Sequence, residues 1–409
     1  MNLKKRRFYS VLGKILNFLV VKSNKRVYIA PHPNCLTDKY DLTNYSSDNV
    51  LCVLNYFREK QIPFKSTFYI EYHHKNRFDI LKEETKKYPF KIKLILSHLA
   101  EEKPFKRFLL RLKNMFKRYR SKIWITDTGS GSYYDKLKWQ TFICLCYATP
   151  LKVDGALIPK EKQYERWTYI DHFLQTSLLT ACIHSSEFKL NLEECPILGY
   201  PRNDMLEKSE KKDNVLKWIK SKVGFDYSKI MVYAPTYRDY DGAYDNGCAL
   251  GFDNSPEELE SFLSENRILL ITKFHPLQNT FGNIFTKHVI QYEKTWDFSL
   301  YDLLSVCDLL ISDYSSVIHD FILTSKPIII DAFDYEKYEN TRGFAFEPLD
   351  YVMPSKICRS FNELLNTISK EINSSFREQH YFMVQRMFHK NIDFNSTERV
   401  ADYIKSFVK

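Results

Sequence analysis

The stretch "CDLLISDYSS", residues 307–316, sets Leu309, Leu310 and Ile311 in a row and then breaks into Asp313, Ser315 and Ser316. A short unbroken apolar run of this kind reads as a strand buried on both faces, as in parallel sheets. The same signature recurs nearby in "SKIMVYAPT" (228–236), "NRILLITKFHP" (266–276) and "KPIIIDAFD" (326–334). An earlier series runs through "KRVYIAPHP" (25–33), "KSTFYIEYHH" (65–74), "FKIKLILSH" (90–98), "SKIWITDT" (121–128) and "QTFICLCY" (140–147). Helical or irregular stretches separate the runs, and that alternation predicts doubly wound parallel sheets. The polar segment "LEKSEKKDN" (206–214) reads as a linker between the two series. The expectation is an α/β chain of two Rossmann-like domains, 26–205 and 215–380, with the site in the cleft between them. The segment 381–409 reads as helical and suited to crossing back.

A chain of 409 residues suits two domains better than one core. Hydrophobic residues at 44% rule out global disorder. The net charge of +10 favours phosphate-rich or anionic partners. Nine cysteines, an odd number with no Cys-x-x-Cys, fit reduced buried thiols better than disulfides or zinc. Residues 1–25 carry a basic head and an apolar run too short to span a bilayer. Phe8, Val11, Leu12, Ile15 and Leu19 share a helical face, which suits either a helix on an anionic membrane surface or an ordinary docked helix.

Ligands of open α/β sheets sit beyond the carboxyl ends of the strands, and there the unusual polar residues gather. "YAPTYRD" (233–239) places Pro235, Thr236 and Arg238 after a strand, and "KFHP" (273–276) places Lys273 and His275 after another. In "SDYSSVIHDF" (312–321), Asp313, Ser315 and Ser316 are set to cap a helix whose free N–H groups favour phosphate. "GYPRND" (199–204) ends the first half with Arg202, whose planar fork suits phosphate. Each is an ordinary feature alone; four at strand ends together suit a pyrophosphate. "TGSGSYY" (128–134) lacks the third glycine of a dinucleotide loop, and "DYD" (239–241) beside Gly242 reads as a turn. No tightly bound metal or cofactor and no nucleic-acid partner is expected.

The order "YSSDN" (45–49), "ATPLKVDG" (148–155), "ILGYPRND" (197–204), "YAPTYRD", "KFHP" and "DLLSVCDLLISDYSSVIHDF" (302–321), continued by "KPIIIDAFDYEKYENTRGFAFEP" (326–348), resembles the CDP-glycerol glycerophosphotransferases of teichoic acid and capsule synthesis. The resemblance implies a GT-B fold and transfer of glycerol phosphate from CDP-glycerol to a hydroxyl, with release of CMP. The acceptor would be a surface polymer or its lipid-linked precursor, reached from the cytoplasmic face of the membrane. Carried over by position, Thr149, Pro150, Leu151, Arg202, Pro235, Thr236, Arg238, Lys273, Ser315, Ser316 and Asp320 would contact the donor, and His275 would help CMP leave. Rival readings are a related transferase using CDP-ribitol or a nucleotide sugar, and a non-catalytic assembly protein.

One position departs from the family pattern Trp-His-Gly-Thr-Pro-Leu-Lys. Its first three residues are Cys146, Tyr147 and Ala148 here, so Tyr147 stands where the family carries the histidine taken as the base. A tyrosine titrating near pH 10 is a weak base at neutrality, although it can still hydrogen-bond a phosphate or hydroxyl. His32, His73, His74, His98 and Asp127, all at strand ends, are the alternative bases.

Overall fold

The computed structural model describes residues 11, 15, 21–31, 49–72, 78–96, 104–127, 137–146, 148–158, 170–236, 256–274, 286–293, 296–375 and 377–408. Tyr147, Arg238, His275, His32, His73, His74, His98, the stretches 128–134 and 239–241 and most of the 1–25 segment lie outside the described residues.

The first half contains β1 (Ser23–Ala30), α1 (Asn49–Glu59), β2 (Thr67–Tyr72), α2 (Phe78–Thr85), β3 (Ile92–Leu96), α3 (Pro104–Tyr119), β4 (Ser121–Thr126), β5 (Thr141–Cys144), β6 (His172–Phe173) and α4 (Leu178–Phe188). Then come α5 (Met205–Lys208), α6 (Lys212–Lys222), β7 (Lys229–Tyr233), α7 (Pro256–Glu265), β8 (Ile268–Thr272), β9 (Val289–Gln291), α8 (Leu300–Val306), β10 (Leu309–Ser312) and α9 (Val317–Phe321). The chain ends with β11 (Ile328–Asp331), α10 (Tyr335–Arg342), β12 (Ile357–Cys358), α11 (Phe361–Glu371), α12 (Gln379–Phe388) and α13 (Ser396–Lys405).

These strands form two separate six-stranded parallel sheets, ordered β3-β2-β1-β4-β5-β6 and β12-β11-β10-β7-β8-β9. Both follow the Rossmann order, with a switch point between their first and fourth strands. The arrangement is GT-B, two Rossmann-like domains with the cleft between them. The apolar runs explain it, for β7, β8 and β10 are buried through nearly every residue because helices cover both sheet faces.

At each switch point a carboxylate spans the crevice. Asp127, after β4, accepts the Val50 N–H at the start of α1 at 3.1 Å. Asp313, after β10, accepts the Thr236 N–H after β7 at 2.8 and 3.0 Å. Asp313 therefore ties two loops together instead of capping a helix, and Ser316 makes no side-chain cap on α9. That corrects the capping expected from sequence. The supposed linker 206–214 is also largely helical, since α5 occupies its start and α6 its end.

The C-terminus crosses back. Asp204 accepts the N–H groups of Ser396 and Thr397 at 2.9 and 2.7 Å, which seats the start of α13 beside the first domain. Gly199, with φ +86°, lies so close to Ser396 that a Cβ would fall 2.2 Å from its hydroxyl. Val400, Ala401 and Ile404 of α13 then join the core of β1, β2 and α1.

Candidate functional site

Between the switch points lies a pocket of about 290 Å³. Thr149, Pro150, Leu151 and Lys152 line it from the first domain, and Tyr314, Ser315 and Ser316 from the second. Asp127, Cys144, Cys146, Asp154, His184 and Glu187 extend its first-domain wall. Two motifs about 160 residues apart in sequence thus meet across the cleft, as expected for a ligand site in this fold.

The loop after β5 is tightly held. Cys146 has the left-handed φ of +59°, uncommon without glycine and sustained only where neighbours enforce it. The Asn49 amide donates to the Cys146 carbonyl, and the Tyr200 hydroxyl donates to the Ala148 carbonyl at 3.2 Å. Asn49 Oδ1 in turn accepts the Arg202 N–H at 3.0 Å. The carbonyls on both sides of position 147 are therefore anchored to "YSSDN" and "GYPRND". Beyond the loop, Ala345 N–H donates to Leu151 O at 3.0 Å, which joins it to the second domain.

Pro235 and Thr236 are buried at the end of β7. Lys152 approaches the Thr236 hydroxyl at 3.5 Å and lies over the Tyr338 ring. This ammonium group on the pocket wall is one that sequence reasoning left without a role, although it stands inside a quoted motif. Lys273 follows β8, its N–H held by Tyr233 O at 2.7 Å, and Phe274 packs on Tyr233. The Thr149 hydroxyl is buried with no hydrogen-bond partner among the described residues, which leaves it available to a ligand.

Arg202 and Asp320 take a different position. They meet across the domains at 2.8 Å, both buried, and the Tyr301 hydroxyl also donates to Asp320. Burial works against the guanidinium charge, but the Asp320 carboxylate outweighs it and holds Arg202 protonated. The structure thus gives each a protein partner, and neither is among the described residues lining the pocket.

Glu187 and His184, on the last turns of α4, had no signal in the sequence beyond a glutamate and a histidine in a mostly apolar helix. Burial, followed by the Asp154 carboxylate, pushes Glu187 up to about 8. Burial pushes His184 down to about 3. No described helix is long and apolar enough to cross a membrane, and no cluster of three or more metal-ligating side chains occurs among the described residues.

Comparison with known proteins places this geometry. The family profile of CDP-glycerol:poly(glycerophosphate) glycerophosphotransferases matches residues 43–406. A teichoic acid ribitol-phosphate polymerase, TarL, of Staphylococcus aureus is 33% identical over 187 residues, 42% of this chain and 31% of that protein. A teichoic acid glycerol-phosphate transferase of the same species is 25% identical over 310 residues, 70% of this chain and 76% of that protein. A teichoic acid glycerol-phosphate primase of Bacillus subtilis is 28% identical over 250 residues, 60% of this chain and 61% of that protein. The chain thus spans about a third of the polymerase and under two thirds of the primase. The solved wall teichoic acid polymerase TagF superposes with a TM-score of 0.69 at 18% identity, over 98% of this chain and 93% of that one. By fold, motifs and family match, this chain belongs to the CDP-glycerol:poly(glycerophosphate) glycerophosphotransferase family, whose relatives carry out glycerol-phosphate and ribitol-phosphate transfer in teichoic acid synthesis.

Proposed function

We propose that the chain transfers glycerol phosphate from CDP-glycerol to a hydroxyl of a teichoic-acid-type or capsular polymer, or of its lipid-linked precursor, and releases CMP. The observation that carries this reading is the meeting of Thr149–Lys152 with Ser315 and Ser316 around one pocket. In phosphoryl transfer, positioning and neutralisation of charge do most of the work. Lys152 offers a cation there, the serine hydroxyls and Thr149 offer hydrogen bonds, and no tightly bound cofactor is required. Arg238, His275 and Lys273 would complete the donor side.

CDP-ribitol is the second reading, favoured by the ribitol-phosphate polymerase among the relatives. Calorimetry with CDP-glycerol, CDP-ribitol and nucleotide sugars, coupled to a CMP assay with lipid-linked acceptors, distinguishes them. CMP release from CDP-glycerol is expected. Binding without release would instead mark an assembly protein, and preferential release from CDP-ribitol would assign the other donor.

We also place the protein on the inner face of the cytoplasmic membrane. Helix α3 supports this, since Phe105, Leu109, Leu112 and Phe116 share one face and Phe105 is 71% exposed. Lys106, Lys113 and Lys117 lie beside that stripe. Apolar and basic side chains together suit insertion at an anionic lipid surface. Each basic residue there contributes about 1 kcal/mol, so Lys106→Glu with Lys113→Glu should weaken binding to anionic vesicles by at least about tenfold. Co-sedimentation equal to that of the unaltered protein would remove α3 from the membrane contact.

A further inference from the structure

With Tyr147 in place of the family histidine, the proton of the attacking hydroxyl needs another acceptor, and the pocket holds a carboxylate on another element besides Asp127. Glu187 is 2% exposed and is one of the residues that line the pocket from the first-domain wall. Its Oε1 accepts the Asp154 N–H at 3.1 Å, and its Oε2 faces His184 Nε2 at 3.8 Å. His184 Nδ1 lies 2.8 Å from Gln175 Oε1. An amide oxygen only accepts, so the imidazole proton sits on Nδ1 and the nitrogen facing Glu187 is bare.

The pair is therefore not a salt bridge, because burial keeps His184 neutral. Glu187 stands beside an uncharged ring and near the Asp154 carboxylate. The remaining charged or titratable groups on this wall are Asp127, Cys144, Cys146 and Lys152. Asp127 accepts the Val50 N–H across the switch point, as Glu187 accepts that of Asp154, and burial first of all raises the Cys144 thiol well above its ordinary value. Gly155, with φ +56°, lets the Asp154 loop press on this site, since a Cβ there would lie 2.2 Å from the Glu187 carbonyl oxygen.

We propose that Glu187 is the catalytic base, receiving the proton of the acceptor hydroxyl in the pocket. The assignment rests on the transferase reading above. The hydroxyl oxygen forms a bond to the phosphorus bearing the polyol, and its proton passes to the Glu187 carboxylate. The bond to the bridging oxygen breaks, and its electron pair leaves with CMP. Burial and Asp154 place the titration of Glu187 at about 8, so the ionised base accumulates as pH rises through that value. A general base works best when its pKa lies near the working pH.

Glu187→Gln tests this, since the amide oxygen still accepts the Asp154 N–H but the side chain takes up no proton. We expect kcat to fall by about 100-fold or more, with KM for CDP-glycerol little changed. The rise of kcat/KM with pH near 8 should disappear. Should that variant not fold, Glu187→Ala supplemented with formate decides, because a small carboxylate restores a missing base and not a missing packing contact. Wild-type kcat with the alkaline rise intact in Glu187→Gln overturns the assignment, as does a folded, inactive Glu187→Ala that formate leaves unchanged. A wild-type protein that releases no CMP from any CDP-polyol overturns the transferase reading and this base with it. Wild-type turnover beside an unaffected Glu187→Gln overturns the base alone.

Discussion

Arg202→Ala is expected to lower the unfolding free energy by about 3–5 kcal/mol, the usual cost of leaving one charge of a buried pair uncompensated. Asp320 would then be a buried carboxylate whose remaining close partner is the Tyr301 hydroxyl. The effect is large because the pair joins the domains: Arg202 lies in the segment after the first sheet, and Asp320 lies in α9 after β10, 118 residues on. Arg202 also reaches the pocket loop through its backbone, by way of Asn49 to Cys146. That backbone N–H survives the substitution, so the fall in turnover expected where the fold persists comes from the lost clamp between the domains. Replacing both partners with apolar residues of similar volume should recover much of the stability, since no buried charge remains. Denaturant unfolding measures all three variants. A loss under about 1 kcal/mol for Arg202→Ala would show that the guanidinium does not clamp the domains and would return it to the donor site expected from sequence.

His275→Ala should slow turnover by about 100-fold or more, as for loss of a positioned group that stabilises developing charge. The chain reaches His275 from β8 through Lys273 and Phe274, both fastened to Tyr233 at the end of β7. That strand end carries Pro235 and Thr236, and Thr236 meets Lys152 from the opposite domain. Negative charge collects on CMP as the bond breaks, so a group that neutralises it acts on the transition state more than on the bound donor. The loss should thus fall on kcat, with donor affinity and melting temperature nearly unchanged. Turnover within a few-fold of wild type would exclude His275 from the departure of CMP.

The amino-acid sequence by itself determined the two parallel sheets and the polar strand ends around which the pocket forms. Runs such as "CDLLIS" and "RILLIT" have few conformations that bury every residue, and a strand covered on both faces is one of them. The strands β6, β9 and β12, of two or three residues, are too short to carry any periodicity and emerge only in the assembled sheets. Tertiary structure alone decided which polar groups meet. Asp313 resembles a helix cap in sequence and instead binds Thr236, 77 residues away. Arg202 resembles a phosphate ligand and pairs with Asp320, while Asn49, with no role assigned from sequence, anchors the loop after β5. Glu187 and His184 gave no signal because a buried polar side chain leaves no period in the sequence. Its protonation is fixed by the solvent it loses and the charges it meets, and both arise only when distant segments pack together.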